Sequence, residues 1–478
     1  MTSKKFQLKV GLFSIGLETY WAQFEGLQSR LEGYTNIVKD KLQSYNCEVV
    51  SLGLIDTAEK ALIAGHEFRK ADVDIIFLYI TTYALSSTVL PVVQRAKVPV
   101  IILNLSPDAN IDYAAFNKMA DKTRMTGEWL AYCSACPVPE ISNVFNRAGI
   151  QFHQITGILH EDDDCWNEVK GWIEAAKVAH TMSHNRLGAL GQYYSGMLDI
   201  YSDLTMQCIT FGGHIEIIEV DEVSALRKKV SRAEIEERVK DVYRLFDVQQ
   251  DCPREELERA AKTSVALDRL VDLYQLGSLA YYHKGTGNEE NEDTMSSFIV
   301  GGSLLTARNI PVAGEYEIKN AQAMKILDSF GAGGSFTEYY AMDFKDDVVL
   351  MGHDGPGHIA ISEGKTKLKP LQLYHGKVGQ GLSVEMSVKK GPVTLLSVVQ
   401  KRDSTMMLLC AEAESVAGPV LEIGNTNSRY KFSIGARRFV NEWNEEGPSH
   451  HCAVGTGHIA HKIHKLGSLL NMRVVKIC

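Results

Sequence analysis

No stretch of about 18 consecutive apolar residues occurs in the 478-residue sequence, so no helical membrane span is expected. Positive charge is also short: 50 Lys and Arg stand against 59 Asp and Glu, a net charge of -9. A phosphate backbone needs concentrated cations, and no basic stripe supplies them, which removes nucleic acid from the expected partners. Gly-x-Gly-x-x-Gly is missing after the first apolar strand, and no Lys-Ser/Thr follows the glycine turn Gly331 to Gly334. Neither a dinucleotide site nor a Walker-type phosphate loop is therefore expected. Nine cysteines, an odd number scattered through a long chain, read as reduced thiols and not as a disulfide framework. Cys133-Ser-Ala-Cys136 has CxxC spacing, but with no second CxxC and no paired histidines beside it, it reads as a coincidence of buried thiols. The first ten residues are broken by polar groups before any apolar run long enough for a signal peptide, and a cytoplasmic enzyme is the expectation.

What is present is an ordinary globular composition, 45% hydrophobic and 23% charged, in a chain long enough for two to four domains. Apolar runs at 8–15, 48–52, 73–80 and 98–105 alternate with helical patterns, and a helix over 156–179 closes the series. That alternation predicts a doubly wound parallel sheet with ligands beyond its carboxyl ends, at 16–21, 81–83 and 104–107. The acidic run 161–164 reads as the first turn of the closing helix. A second α/β unit opens with a strand at 186–190, an extended stretch at 208–220, two long helices at 231–246 and 255–282 and a flexible loop at 285–292. A helix at 320–330 leads to short apolar runs separated by Gly, Lys and Asp at 348–352, 358–361, 382–388, 393–399 and 406–413, the pattern of an antiparallel β domain. The fold class expected is α/β throughout: an N-terminal domain at 1–181, a central α/β domain at 182–329 and a β-rich domain at 330–478.

Chemistry-bearing residues concentrate between Ala313 and His358. Glu315 lies in a Gly-Glu-Tyr-Glu turn, Glu338 follows the glycine turn, and His353 ends the apolar run Val348 to Met351. Two carboxylates and an imidazole at element ends suit a divalent cation such as Mn2+, and they lack one further ligand. His450 and His451, in Gly447-Pro-Ser-His-His, supply a candidate. Taken singly, each is more often a cap or a satisfied core group. His358 and His458, also beside glycines, are the alternatives to His353 and His451, and 424–429 reads as a turn before a sugar contact.

The order Gly-Glu, Gly-Gly-Ser-Phe-x-Glu, Leu-x-Gly-His, His-His resembles that of the L-arabinose isomerase family. The resemblance implies a Mn2+ held by Glu315, Glu338, His353 and His451, with the two glutamates as acid and base of a cis-enediol route between aldose and ketose. It implies His450 as a hydroxyl contact or ring-opening aid and Met197 as a pocket residue. Departures from the family pattern fall on the sugar: Glu18 stands where the family has a substrate-contacting Gln, and Cys133 and Cys136 replace a Gln and a His. Thiols are poor hydrogen-bonding partners, so another sugar than L-arabinose is expected. The resemblance further implies a homo-oligomer, a hexamer before a trimer or tetramer, with the N-terminal domain of one subunit, including Glu18 and Cys136, over the site of its neighbour. Two other readings stand beside it: a metal-dependent sugar epimerase, and a non-catalytic sugar-binding relative.

Overall fold

The computed structural model describes residues 7–285, 287–371, 373–374, 377–378 and 381–478. The chain divides into two compact units, Met1–His180 and Thr181–Cys478.

In the first unit five parallel strands stand in the order Glu48–Ile55, Lys9–Ile15, Ile75–Tyr79, Val100–Ser106, Phe152–Ile158. The two central strands are buried nearly throughout because helices cover both faces, which is why they read as continuous apolar runs and not as alternating ones. Helices Ala58–Ala71, Leu90–Ala96 and Val138–Ala148 pack one face around Phe13, Phe68 and Phe145. The expected helix from 156 is corrected here: Phe152–Ile158 is the fifth strand and the helix runs Asp163–Ser183. Its burial alternates too irregularly to show in the sequence. Asp162 accepts from the backbone N–H of Ile158 and Cys165, so the acidic run does cap this helix.

One expectation about sulfur fails. Cys133 and Cys136 are joined as a disulfide, linking the end of helix Lys122–Tyr132 to the start of Val138–Ala148. The other seven cysteines are free.

The second unit holds two main sheets. Four parallel strands run in the order Val312–Ala313, Ser278–Tyr282, Arg186–Gly191, His214–Ile218. The stretch expected to be extended from 208 begins as a helix, Leu204–Phe211, and the long second helix stops at Tyr274, beyond which Ser278–Tyr282 is a buried strand. Short apolar segments do not distinguish buried strand from helix by periodicity, so the sequence pattern does not separate the two at either place. The loop expected to be flexible is in part the helix Glu289–Ser296, capped by Asn288; Thr286 lies outside the described residues.

The β-rich part is a seven-stranded sheet ordered Gly391–Gln400, His451–Thr456, Ser335–Asp343, Val348–His353, Thr426–Phe432, Met406–Val416, Arg473–Lys476. A further pairing of Gly391–Gln400 with Met406–Val416 closes six of these strands into an antiparallel ring. The 424–429 turn is confined to its first residues, with the strand starting at Thr426. Ile359–Ile361, expected as strand, is a single helical turn. Helix Ile318–Ser329 runs through the interior, buried along its length, and touches Ser278–Tyr282 of one sheet and His451–Thr456 of the other. It is the element that brings Glu315, just before it, to the histidines of the ring. No helix among the described residues is long and apolar enough to cross a membrane.

The helices flanking this unit are tied by Asp293, which accepts from the guanidinium groups of Arg227 and Arg259, the latter at 2.6 Å. Burial acts to raise the Asp293 pKa, but Arg259 and Arg227 overcome it and hold the carboxyl below its usual range. A depressed acid contributes stability above its unfolded pKa and loses it as pH falls through the folded one. Asp293→Asn should therefore cost about 1–3 kcal/mol at neutral pH, discounted from a fully buried pair because the carboxylate is partly exposed. In urea titrations the gap to wild type should narrow as pH falls through the aspartate range.

Candidate active site

Glu315 sits at a strained point of the backbone. Strand Val312–Ala313 ends beside Ser278–Tyr282, and Glu315 and Tyr316 both take left-handed conformations, φ 55° and 62°, before the interior helix begins. Such φ values cost on the order of 1 kcal/mol each for side chains of this size. They persist because Tyr316 N–H donates to the Tyr281 carbonyl at 3.0 Å and Glu317 N–H to that of Gly314 at 2.9 Å. The consequence is a carboxylate turned toward the ring of strands.

Three imidazoles meet it. His353 Nε2 is 3.9 Å from Glu315 Oε1, while His450 Nε2 and His451 Nε2 are 3.7 and 3.5 Å from Oε2. His353 ends its strand next to Gly352, where a Cβ would collide with the Thr426 carbonyl, so this close strand approach requires glycine. Its Nδ1 lies 2.8 Å from the Asp354 carbonyl oxygen, an acceptor only. Nδ1 must carry the proton, leaving the Nε2 lone pair toward Glu315.

The two neighbouring histidines each have a carboxyl group of their own at Nδ1. Asp199 accepts from His450 at both the backbone N–H, 2.9 Å, and Nδ1, 2.6 Å. Glu317, with no exposed surface, lies 3.3 Å from His451 Nδ1 and within 3.4 Å of Ser449 Oγ. Lys319 approaches Glu317 to 3.9 Å and donates to the Asp199 carbonyl oxygen. Neither Asp199 nor Glu317 was singled out from sequence. Glu317 was visible in the Gly-Glu-Tyr-Glu turn, whereas Asp199 lies 251 residues from its partner and no spacing rule reaches it.

Electrostatics follow from these contacts. Burial, and then the neighbouring imidazole, pushes His353 and His451 down to about 3, so both are neutral. His450 is also opposed by burial, but Glu315 and Asp199 raise it to about 9. Glu315 itself stays below the usual carboxylate range: burial acts upward, and His450, His451 and His353 outweigh it. Glu317 is raised by burial to about 8 despite Lys319.

The expected residues are placed as follows. Glu315, His450 and His451 place ligand atoms within 4.8 Å of one another, with His353 joining through Glu315. Glu338 is half-buried on the strand Ser335–Asp343, in register opposite His451, a pairing that puts both side chains on one face. Met197 lies on the loop that carries Asp199, its N–H directed to the Tyr194 carbonyl. Glu18 and Cys136 belong to the first unit; Glu18 is exposed, and the Cys136 sulfur is bonded to Cys133 and so offers no S–H. His358 lies 3.6 Å from Asp328, and His458 donates to the Ala413 carbonyl, so neither replaces His353 or His451.

A cavity of about 440 Å³ opens onto Glu315 and His353 and is walled by Tyr194, Tyr281, Tyr282 and Glu292, with the Tyr194 and Tyr282 rings 4.7 Å apart. Its size suits a small polar ligand, and aromatic faces beside carboxylates suit a sugar. A divalent cation fits the donor set: Glu315 Oε2 and His451 Nε2 are buried and accept or donate no hydrogen bond, an arrangement that is costly unless something else satisfies it. Two neutral imidazoles and a carboxylate are ligands of the borderline type.

Residues 333–473 match the family model of the L-arabinose isomerase C-terminal domain. No curated protein matches the chain. Among solved structures, an ABC transporter solute-binding protein from Burkholderia multivorans is 13% identical, covering 68% of this chain and 93% of that one, with a TM-score of 0.17. So slight a likeness carries no argument.

Proposed function

From the match over residues 333–473, which supports membership of the arabinose isomerase family, we propose that this chain is a metal-dependent aldose–ketose isomerase acting on an open-chain sugar. The observation that carries the reading is the meeting of three imidazole Nε2 atoms around the Glu315 carboxylate at 3.5 to 3.9 Å. Glu315, His353 and His451, with Glu338 from the facing strand, would hold Mn2+ or a similar cation, which when bound supplies Lewis-acid polarisation of the sugar carbonyl and offsets developing negative charge.

The chain's own groups do the rest. An aldose becomes a ketose when a proton leaves C2, a cis-enediol forms, and a proton arrives at C1 while another moves between O1 and O2. Glu315 and Glu338 are the two carboxylates available to take and return the carbon-bound proton. His450, charged and held by Asp199, is a donor for a sugar oxygen, either at ring opening or in the transfer between O1 and O2. Tyr194 and Tyr282 line the cavity that would hold the sugar and limit water around it. L-Arabinose is not the proposed substrate, because the Gln and His of the family pattern are replaced by Cys133 and Cys136. The proposal includes a cytoplasmic homo-oligomer in which the first unit of one copy closes the site of the next, bringing Glu18 near the sugar.

The test is a panel of aldopentoses, aldohexoses and deoxy sugars offered to the Mn2+-loaded protein, with ketose formation followed directly. One sugar should be converted, and conversion should stop when the cation is chelated and resume when it is restored. Epimerised aldose with no ketose, or sugar binding by calorimetry with no turnover on any member, would overturn the proposal.

A further inference from the structure

The CxxC pair, to which the isomerase reading gives no chemical step, is a chemical site in its own right. We propose that Cys133–Cys136 is a reversible thiol–disulfide exchange site, opened by a thiolate that attacks the sulfur of the exposed residue, Cys136. Four observations lead there. The bond exists beside seven free cysteines, so this chain is not one held together by disulfides. Among proteins whose thiols are otherwise reduced, an isolated disulfide is usually a transient, exchanging one. Cys133 is 3% exposed whereas Cys136 is exposed, which gives an incoming thiolate one sulfur to reach. Cys136 also stands two residues ahead of helix Val138–Ala148, whose N-terminal partial positive charge favours anionic sulfur.

The fourth observation is that the bond holds nothing the fold does not already hold. It spans only Ser134 and Ala135. On one side, Leu130 and Ala131 pack with Leu27 and Leu31, and Thr82 Oγ1 donates to the Leu130 carbonyl. On the other, Ile141 and Phe145 lie in the sheet core, and the Glu140 carboxylate accepts from Ser86 N–H. Both helices stay anchored when the sulfurs part. A bond that cross-links little chain and exposes one sulfur belongs to the labile class and not the structural one.

The exchange balances with a thiol reductant. A thiolate attacks Cys136 Sγ, forming a mixed disulfide and releasing Cys133 as a thiolate that takes up a proton. A second thiol, from the same dithiol or another molecule, then attacks its partner sulfur in the mixed disulfide. The reductant leaves as its own disulfide, and Cys136 leaves as a thiolate that is protonated in turn. Two electrons and two protons pass from reductant to protein. Oxidised glutathione drives the reverse.

The full-length protein is equilibrated without denaturant in glutathione buffers of graded composition, or with dithiothreitol, then acid-quenched, alkylated and mapped by mass spectrometry. The expected result is a bond that opens and re-forms reversibly with both reagents. In the opened protein, Cys136 should label about tenfold faster than Cys133, and Cys133→Ser should keep that fast site while Cys136→Ser loses it. Two results would overturn the proposal: both residues remaining alkylatable under oxidised glutathione, which means that no bond forms, or the bond surviving millimolar dithiothreitol in the folded protein, which means a static cross-link. Opening by dithiothreitol but not by glutathione would retain the site and assign it to dithiol reductants. Circular dichroism of the reduced protein checks that the label reports exchange and not unfolding.

Discussion

Glu315→Gln should reduce isomerase turnover by on the order of 10³ to 10⁴, the largest single effect expected in this protein. The substitution keeps the shape of the side chain and removes two functions together. One is the charge toward which His353, His450 and His451 all turn their Nε2 atoms. The other is a carboxylate held ionised by those imidazoles in spite of burial, hence ready to accept a proton. Loss of the charge should also weaken Mn2+ binding, read by calorimetry independently of activity. Folding should survive with a modest fall in the melting temperature of the metal-free protein at neutral pH, because a carboxyl whose pKa is depressed by the imidazoles stabilises the folded state through its charge and glutamine forfeits that share. Glu338→Gln is the matched variant, expected to lose turnover comparably. If Glu315→Gln binds the cation and still turns over sugar at near-normal rate, Glu315 is neither base nor essential ligand.

What the sequence carried was chemistry at element ends; what it hid was assembly. Glu315 and His353 were legible because a glycine precedes each, and glycines mark the turns and close strand approaches from which side chains are aimed inward, while the His450–His451 pair joined them through the resemblance of the whole order to a known family. Gly352 is the case in point, since the Thr426 carbonyl leaves no room for a Cβ beside His353. The first parallel strands were legible for a different reason: burial on both faces turns a strand into an unbroken apolar word, as in Ile75–Tyr79. Phe152–Ile158, at the sheet's edge and only partly buried, gives no such word, and its last residues, from 156, read as the start of a helix. The ring of antiparallel strands was visible as a texture but not as a closed order, because the pairing of Gly391–Gln400 with Met406–Val416 is a long-range outcome of packing.

The carboxylates behind the histidines were hidden in the same way. Asp199 and Glu317 earn their roles only from where the interior helix and the loop after Arg186–Gly191 bring them, and a solitary Asp in a loop has no signature. The disulfide was read as a pair of thiols for a related reason. Spacing alone weighs against CxxC, and only the turn between two anchored helices sets the sulfurs at bonding distance. Local pattern reports what a residue is able to do, whereas partner identity is a property of the folded chain.

Glu317→Gln should lower affinity for the divalent cation about 10–100-fold while making the metal-free protein more stable in mild alkali. Both effects come from one buried carboxyl. In its ionised form, which a cation bound at His451 would favour, Glu317 accepts the Nδ1 proton of His451, leaves the Nε2 lone pair on the side of Glu315, and raises the basicity of that nitrogen. Glutamine is able to take the same hydrogen bond but not to supply the charge, so the ligand keeps its place and loses donor strength. The stability effect has the opposite sign. Burial lifts the Glu317 pKa from 4.5 to about 8, so between those values the folded state holds a proton that the unfolded chain has released. Stability then falls as pH rises across that window and levels off above it. Glutamine does not titrate, so the variant should match wild type near the lower bound and exceed it near pH 8, as read by chemical denaturation with chelator present. Adding Mn2+ narrows that gap, because a ligand bound only to the folded state stabilises it by about 2.7 kcal/mol at a hundred times its dissociation constant, and the variant reaches that ratio only at higher concentration. An affinity unchanged by the substitution would make Glu317 a buried structural group alone, whereas a gap between the two stability curves that shrinks on metal addition would mark it as the group that trades apo stability for a prepared ligand.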